Sequence, residues 1–174
     1  MKIKILALSG SLRETSSNNT ILKLISGMVP ENVEFTLYKG LASIPAFDEI
    51  DNEPVTQFRQ LIRQADGVLI CTPEYAFGVP GALKNALDWT VSSGDFDQKP
   101  VALITASSVG DKGHAALLNT LSALGTEMVE EGKLLISFIR AKLKDGQFAD
   151  NQTEKAVNRV IQALISSIEG RKEK

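Results

Sequence analysis

Apolar positions recur along the chain with two periods, one typical of strands and the other of helices. Compact apolar runs predict buried strands at 3–8, 67–71, 101–106 and 134–138, and the alternation over 33–38 predicts a strand near a sheet edge. Helical spacing predicts five helices, with apolar faces at Ile21, Leu24, Ile25 and Met28; at Val55, Phe58, Ile62 and Ala65; within 81–91; at Leu117, Leu121 and Leu124; and at Val157, Val160, Ile161, Leu164 and Ile168. Five such strand–helix units predict an α/β fold with a parallel sheet and helices on both faces.

The connection after the third buried strand is unusually rich in side chains. The strand stops at Thr72-Pro73 and a helix restarts after Pro80-Gly81, so the connection forms a rigid loop at the carboxyl end of a strand. Ligands of open α/β sheets bind at that edge. The loop carries an acid, two aromatic residues, two glycines and two prolines. The irregular stretch 39–53 is expected to cross the same edge, where it can line a site.

The loop after the first strand has the chemistry of a phosphate site. It joins a strand to the N-terminus of a helix, where free N–H groups and the positive dipole end favour an anion. Arg13 adds a fixed positive charge that can bind a phosphate bidentately, and Asn18 can cap the helix or donate to the ligand. The hydroxyl groups of this loop are those of Ser9, Ser11, Thr15, Ser16 and Ser17. An N-cap with a polar turn would use the same residue types, so both interpretations stay open on the residues alone.

Two familiar nucleotide motifs are missing from this loop. It lacks Gly-x-Gly-x-x-Gly, which disfavours a Rossmann dinucleotide site, and the Gly-Lys-Ser/Thr ending of a P-loop, which disfavours nucleoside triphosphate hydrolysis.

Together the segments 10–18 and 72–89 resemble the signature of NADPH-dependent FMN reductases, a flavodoxin-like group that includes quinone, azo-dye and chromate reductases. Both motifs fall in the expected order, and the resemblance in pattern covers nearly the whole chain. It implies one flavodoxin-like FMN-binding domain over 1–174. It also implies a three-layer α/β/α sandwich with a five-stranded parallel sheet in the order 2-1-3-4-5.

The resemblance implies an FMN site built from three loops. The implied contacts are Ser9, Ser11, Arg13, Ser16, Ser17 and Asn18 for the phosphate, Pro73, Glu74, Tyr75, Ala76, Phe77 and Gly78 for the ring, and Ser107 and Gly110 in the third loop. This chain departs from the family at Ala76, where an Asn is common, and at Gly113-His114, where a Gly-Gly pair is common. No catalytic side chain is expected, because the cofactor carries the chemistry.

The implied activity is hydride transfer from NADPH or NADH through FMN to small acceptors such as quinones, azo compounds, nitroaromatics, metal oxyanions or free flavin. Relatives form homodimers or homotetramers, and the helix bearing Trp89 is a candidate interface. One alternative is a flavodoxin-type electron carrier without NAD(P)H turnover, which is usually far more acidic. Another is a regulatory or scaffold protein that keeps the fold and has lost the flavin.

Composition narrows the remaining function classes. A net charge of −2 argues against general nucleic-acid binding, which needs a basic patch. The single Cys71 excludes an internal disulfide framework and suits the cytoplasm. No stretch approaches the roughly 20 apolar residues of a membrane span, and no His, Cys or carboxylate cluster suggests a metal. Cys71 is interpreted as a buried apolar residue and His114, the lone histidine, as a capping or surface residue.

Overall fold

A computed structural model describes residues 2–48, 50 and 52–172. Five parallel strands form one sheet in the order β2-β1-β3-β4-β5, which confirms the predicted fold and strand order. A separate antiparallel pair, β6 and β7, lies outside that sheet. The elements in chain order are β1 Ile3–Ser9, α1 Ser17–Ser26, β2 Val33–Tyr38, α2 Glu53–Gln64, β3 Gly67–Thr72, α3 Gly81–Asp88, β4 Pro100–Ala106, α4 Asp111–Ala123, β5 Glu127–Ile136, α5 Ile139–Lys142, β6 Leu143–Lys144, β7 Gln147–Phe148 and α6 Asn151–Lys172.

The sheet separates two hydrophobic cores, because successive side chains of a strand point to opposite faces. On β3, Leu69 and Cys71 pack against α1 and α6, whereas Val68 and Ile70 pack against α2, α3 and α4. The other central strands, β1 and β4, divide their residues between the same two cores. Apart from the exposed Lys4, the central strands β1, β3 and β4 are buried on both faces, which explains why they appear in the sequence as nearly continuous apolar runs.

The predicted bounds of β5 are wrong. The strand begins at Glu127 instead of residue 134 and ends at Ile136. Its first half is charged, and its pairing with β4 is interrupted between Val101 and Leu103, where β5 carries extra residues. Phe138, predicted as strand, has φ +55° and begins the short helix α5. Because this edge strand is charged and irregular, its sequence lacks the hydrophobic periodicity from which a strand is predicted.

Two helices also end earlier than predicted. The first helix ends at Ser26, short of Met28, and α3 ends at Asp88 instead of residue 91. After α3, the Thr90 hydroxyl donates to the carbonyl oxygen of Leu87 at 2.7 Å. Such a side-chain hydrogen bond competes with helix continuation.

A buried carboxylate anchors the opposite, amino-terminal edge of the sheet. Asp95 lies in the connection before β4, and its side chain is 1% exposed. It accepts hydrogen bonds from Arg59 Nε at 3.1 Å and from Arg63 Nη1 at 2.9 Å, both in the second half of α2, and from the Ser93 hydroxyl. Asp95 therefore ties α2 to the start of β4, far from the carboxyl edge.

Within the described residues, none of the helices combines the length and apolar composition needed to cross a bilayer.

Candidate functional site

A cavity of about 480 Å³ opens over the carboxyl ends of the central strands. Four loops surround it: the first loop (10–16) after β1, the second loop (73–80) after β3, the third loop (107–110) after β4, and the fourth loop (137–142), which contains α5. The lining residues are Arg13, Ser17, Asn18, Pro73, Glu74, Tyr75, Ala106, Ser107, Ser108, Phe138, Ile139, Arg140 and Ala141. The volume is in the range of small-molecule sites.

The N-terminus of α1 borders the cavity. The buried Ser16 is the N-cap, and its hydroxyl accepts a hydrogen bond from Asn19 N at 3.2 Å. The next two residues, Ser17 and Asn18, line the cavity, and the first N–H groups of a helix have no partner within it. Arg13 lies beside them with its side chain exposed. This end of the cavity offers free N–H donors, a helix dipole and a guanidinium to an anion.

The Asn18 side chain is used inside the protein. Its Nδ2 donates to the carbonyl oxygen of Ala106 at 3.3 Å, and its Oδ1 accepts from Cys71 Sγ at 3.3 Å. These contacts join α1 to the ends of β3 and β4. Burial raises the pKa of the Cys71 thiol well above its usual value, which agrees with the interpretation of Cys71 as a buried apolar residue.

The second loop ends in a tight two-residue turn. Tyr75 N donates to Gly78 O at 3.1 Å, and Gly78 N donates to Tyr75 O at 2.9 Å. Ala76 and Phe77 between them have φ values of +48° and +60°. Positive φ at both central positions defines a type I′ turn, which favours Asn-Gly. Phe77, at the tip of this turn, is 69% exposed, and Lys112 Nζ lies 4.6 Å from the centroid of its ring.

Glu74 connects the second loop to the third. Its backbone N–H donates to Ser107 Oγ at 3.3 Å, and its carboxylate accepts from Gly113 N in the first turn of α4 at 2.6 Å. A Cβ on Gly113 would lie 2.9 Å from Glu74 Cγ and 3.0 Å from Gly78 O. Glycine is therefore required at position 113 for the second loop to pack this closely against α4.

The third loop enters α4 through a left-handed residue. Gly110 has φ +99° and is the buried N-cap of α4, so its role is conformational. His114, one turn later, shares a 2.8 Å hydrogen bond between its Nδ1 and Thr105 Oγ1. Burial lowers the pKa of His114 below its usual value, and the positive charge of Lys133 lowers it further. The imidazole is therefore neutral at neutral pH, and it does not line the cavity.

The fourth loop was not predicted from the sequence as part of the site. Phe138 N donates to Ser108 O at 3.0 Å, and Ile139 N donates to Ser107 O at 3.1 Å. These bonds fix α5 against the third loop, so that Phe138 and Arg140 line the cavity. The signal in the sequence was the position of these residues directly after a strand of the same parallel sheet, which holds for the predicted end at residue 138 as well as for the observed end at Ile136.

The structure brings half of the sequence-predicted residues together. Those that line the cavity are Arg13, Ser17, Asn18, Pro73, Glu74, Tyr75 and Ser107. Those outside its lining are Ser9, Ser11, Ser16, Ala76, Phe77, Gly78 and Gly110. Ser9 and Ser11 instead line a second hollow of about 380 Å³ beside β2. The Ser9 hydroxyl donates to Ser11 O at 3.2 Å and accepts from Ser11 N at 3.3 Å.

In the irregular stretch 39–53, none of the described residues lines the larger cavity. Leu41–Ser43 forms a 3₁₀ turn beside the second hollow, and Glu49 and Asp51 lie outside the described residues. Pro45 O accepts hydrogen bonds from Asn85 Nδ2 at 2.7 Å and from Trp89 Nε1 at 3.0 Å. Trp89 is 2% exposed and packs in its own chain's core, so its side chain is not an exposed interface residue.

The arrangement is suited to binding a planar, phosphorylated cofactor. One end offers N–H donors and Arg13 to a phosphate, and the other offers backbone groups and aromatic side chains to a ring. Among the described residues, no group of three or more His, Cys, Asp or Glu side chains could hold a metal ion. The residues present therefore fit FMN, with the chemistry residing in the cofactor.

Comparisons with known proteins agree with this geometry. The family model described as NADPH-dependent FMN reductase matches residues 3–141. An NAD(P)H-dependent FMN reductase of Pseudomonas aeruginosa is 33% identical over 93% of each chain. A quinone reductase of Escherichia coli is 39% identical over 66% of this chain and 64% of its own.

The solved structure of FerB, a flavoenzyme NAD(P)H:(acceptor) oxidoreductase from Paracoccus denitrificans, matches with a TM-score of 0.84 at 27% identity. That match covers 97% of this chain and 98% of the FerB chain.

Proposed function

The chain belongs to the NADPH-dependent FMN reductase family, and we propose that it is an FMN-dependent NAD(P)H oxidoreductase with quinones or other small molecules as acceptors. The observation that carries this proposal is the cavity at the carboxyl edge of the sheet, where a helix N-terminus and an arginine lie opposite a rigid aromatic loop. The names of the similar proteins, an FMN reductase and a quinone reductase, support the same activity.

The residues that would hold FMN divide between the two ends of the cavity. The N–H groups of Ser17 and Asn18, together with Arg13, would bind the phosphate, because dipole and guanidinium act on one anion. Backbone groups of Pro73–Tyr75 and the hydroxyl of Ser107 would border the ring. Tyr75, which is 45% exposed, would cover part of its face. Ala76 and Phe77 would act through the turn they form.

When bound, FMN would supply the redox chemistry, which is hydride transfer from a reduced pyridine nucleotide and reduction of the acceptor. The chain's task is to orient these partners. The carboxylate beside the ring, Glu74, is held by Gly113 N, so it is a positioning group. His114 is hydrogen-bonded to Thr105 outside the cavity lining. Donor and acceptor would use the open side of the cavity in turn.

An anaerobic visible spectrum of the FMN-loaded, desalted protein tests this proposal. A yellow protein that bleaches on addition of NADPH or NADH, and regains colour with a quinone, is the expected result. A protein that stays yellow with both donors would contradict the reductase and favour an electron carrier. A protein that keeps no FMN after desalting would contradict the flavin site.

We further propose a homodimer or homotetramer. Six apolar side chains on the loops after the strands and at the end of β5 are exposed, and exposed apolar surface marks interaction sites. They are Leu12, Tyr75, Phe77, Val109, Leu135 and Phe138, of which Tyr75 and Phe138 line the cavity. Light scattering after size-exclusion chromatography should give a mass of two or four chains. A single-chain mass that persists across protein concentrations would contradict this proposal.

We also propose that the chain is a single FMN-binding domain over 1–174 and acts in the cytoplasm. The single cysteine, Cys71, is buried and forms no disulfide, which suits a reducing compartment. Fractionation of producing cells should recover the reductase activity with cytoplasmic markers, and recovery with periplasmic or membrane markers would contradict this location.

A further inference from the structure

We propose that Arg140 selects NADPH over NADH by binding the 2′-phosphate of the donor. This inference rests on the proposed function, because it assigns a specificity residue to the same site. The two donors differ only in this phosphomonoester, so a residue that recognises it sets the preference between them. An arginine is the side chain that commonly accommodates this group in nucleotide sites.

Arg140 is held at the wall of the cavity by the backbone around it. The hydrogen bonds from Phe138 N to Ser108 O and from Ile139 N to Ser107 O attach α5 to the third loop. Ile139 is buried beneath the helix, while Arg140 is exposed and lines the cavity. Arg140 therefore lines the cavity from a backbone that two hydrogen bonds hold in place.

Among the described residues, the charge of Arg140 is not neutralised by an ion pair. Across the part of the chain that the structure describes, no carboxylate lies within ion-pair distance of its guanidinium. Its neighbour Lys142 pairs with Asp150 at 3.4 Å, and Glu74 faces Gly113. A planar guanidinium without a partner can bind a phosphomonoester through two parallel hydrogen bonds.

The phosphate of FMN has its own binding groups at the other end of the cavity. Arg13 and the N-terminus of α1 follow β1, whereas Arg140 follows β5. Three strand spacings separate β1 from β5 in the sheet, or about 14 Å at 4.8 Å each. Arg140 is therefore placed for an anion other than the one that Arg13 binds.

Other cations near the second loop are already engaged. Lys84 Nζ lies 2.5 Å from Asp88 Oδ1, and Lys112 lies over the ring of Phe77. Neither of them lines the cavity. Arg13 and Arg140 are the two cations among the described lining residues, and Arg13 is assigned to FMN. Arg140 is thus the cation left for the donor.

The test compares R140Q and R140K with the wild type and with K144Q, a control that removes an exposed cation of the adjacent β6. Each FMN-loaded protein is titrated calorimetrically with NADP⁺ and NAD⁺, and kcat/KM is measured with NADPH and NADH. R140Q loses a charge-assisted hydrogen bond to the phosphate, so its affinity for NADP⁺ should fall by roughly 10- to 100-fold. Its KM for NADPH should rise in parallel, whereas NAD⁺ binding and NADH turnover stay near wild type. R140K should recover part of the loss, and K144Q should match the wild type.

Three results would overturn the proposal. R140Q could lose affinity for NADP⁺ and NAD⁺ equally, it could lose no affinity for NADP⁺, or the wild type could prefer NADH. A fourth would be weaker FMN binding by R140Q with unchanged riboflavin binding, which would assign Arg140 to the FMN phosphate. Failure of the proposed function has a different signature, because the wild type would then bleach with neither donor. The calorimetric comparison of NADP⁺ with NAD⁺ would still decide the role of Arg140.

Discussion

The G10A variant is expected to lose most of its FMN affinity and to be less stable than the wild type. Gly10 is the first residue after β1, and its N–H donates to Cys71 O on β3 at 2.9 Å. A Cβ at this position would lie 2.0 Å from Thr72 Oγ1 and 2.6 Å from Thr72 Cβ. Thr72 is buried and directly precedes the second loop. The added methyl group therefore separates the first loop from the second.

Overpacking of this kind typically costs about 1–3 kcal/mol of unfolding free energy. Because the cofactor would contact both loops, its dissociation constant should rise by roughly tenfold or more, a factor that corresponds to about 1.4 kcal/mol. Flavin fluorescence titration measures the affinity, and urea unfolding of the apoprotein measures the stability.

A matched control and a rescue make the Gly10 prediction specific. At Gly81, the first residue of α3, an added Cβ meets no atom within 4 Å. The G81A variant should therefore bind FMN like the wild type and be at least as stable. Adding T72G to G10A removes the two closest clashing atoms and should restore part of the affinity, although Thr72 Cα lies at 3.1 Å. Wild-type affinity in G10A alone would contradict the close packing of the two loops.

The second large effect, a loss of stability, is expected on substitution of Asp95, at the opposite edge of the sheet. Its buried carboxylate accepts hydrogen bonds from Arg59, Arg63 and the Ser93 hydroxyl. Breaking a buried ion pair by removing one partner typically costs about 3–5 kcal/mol. D95N keeps the shape and removes the charge. We expect a loss near 3 kcal/mol, at the low end, because the Arg63 side chain is 54% exposed and screened by solvent.

Urea unfolding measures the Asp95 effect, with D88N as the matched control. Asp88 pairs with Lys84 on one face of α3, and the two side chains are 31% and 46% exposed. Such i,i+4 pairs contribute about 0.5 kcal/mol or less. Under conditions where D95N is folded, its FMN affinity should equal that of the wild type, because the site lies at the other edge. D95N with wild-type stability, or folded D95N with weakened FMN binding, would refute the role of Asp95 as a structural anchor remote from the FMN site.

Most of the fold could be predicted because the central strands are buried on both sides. The runs at 3–8, 67–71 and 101–106 are mostly apolar, interrupted only by Lys4 and Thr105, and each became a strand within about one residue. The strand order came from the resemblance, since hydrophobic periodicity does not determine which strands are neighbours. β5 was misplaced because its charged half lies at the sheet edge, where polar side chains cost little. The four residues of α5 are too few to show a helical period.

The candidate site was predicted at the level of loops and less well at the level of side chains. Arg13, Ser17 and Pro73–Tyr75 line the cavity as their motifs indicated. Ser9 and Ser11 line the second hollow instead, and they are hydrogen-bonded to each other. Residue type does not encode which hollow a loop residue lines. Arg140 was missed because no motif marks it, and its place at the cavity depends on the backbone hydrogen bonds between α5 and the third loop.

The hydrogen bond from Gly113 N to the Glu74 carboxylate gives the site a built-in spectroscopic reporter. It joins the second loop to the first turn of α4, so a ligand that holds the loop must also slow amide exchange in that turn, by the reciprocity of linked equilibria. The next residue, His114, is the single histidine of the chain and is held by Thr105. Its imidazole proton resonances are therefore assigned without any mutant or isotope label. One proton NMR titration would follow occupancy of the cavity even with colourless ligands.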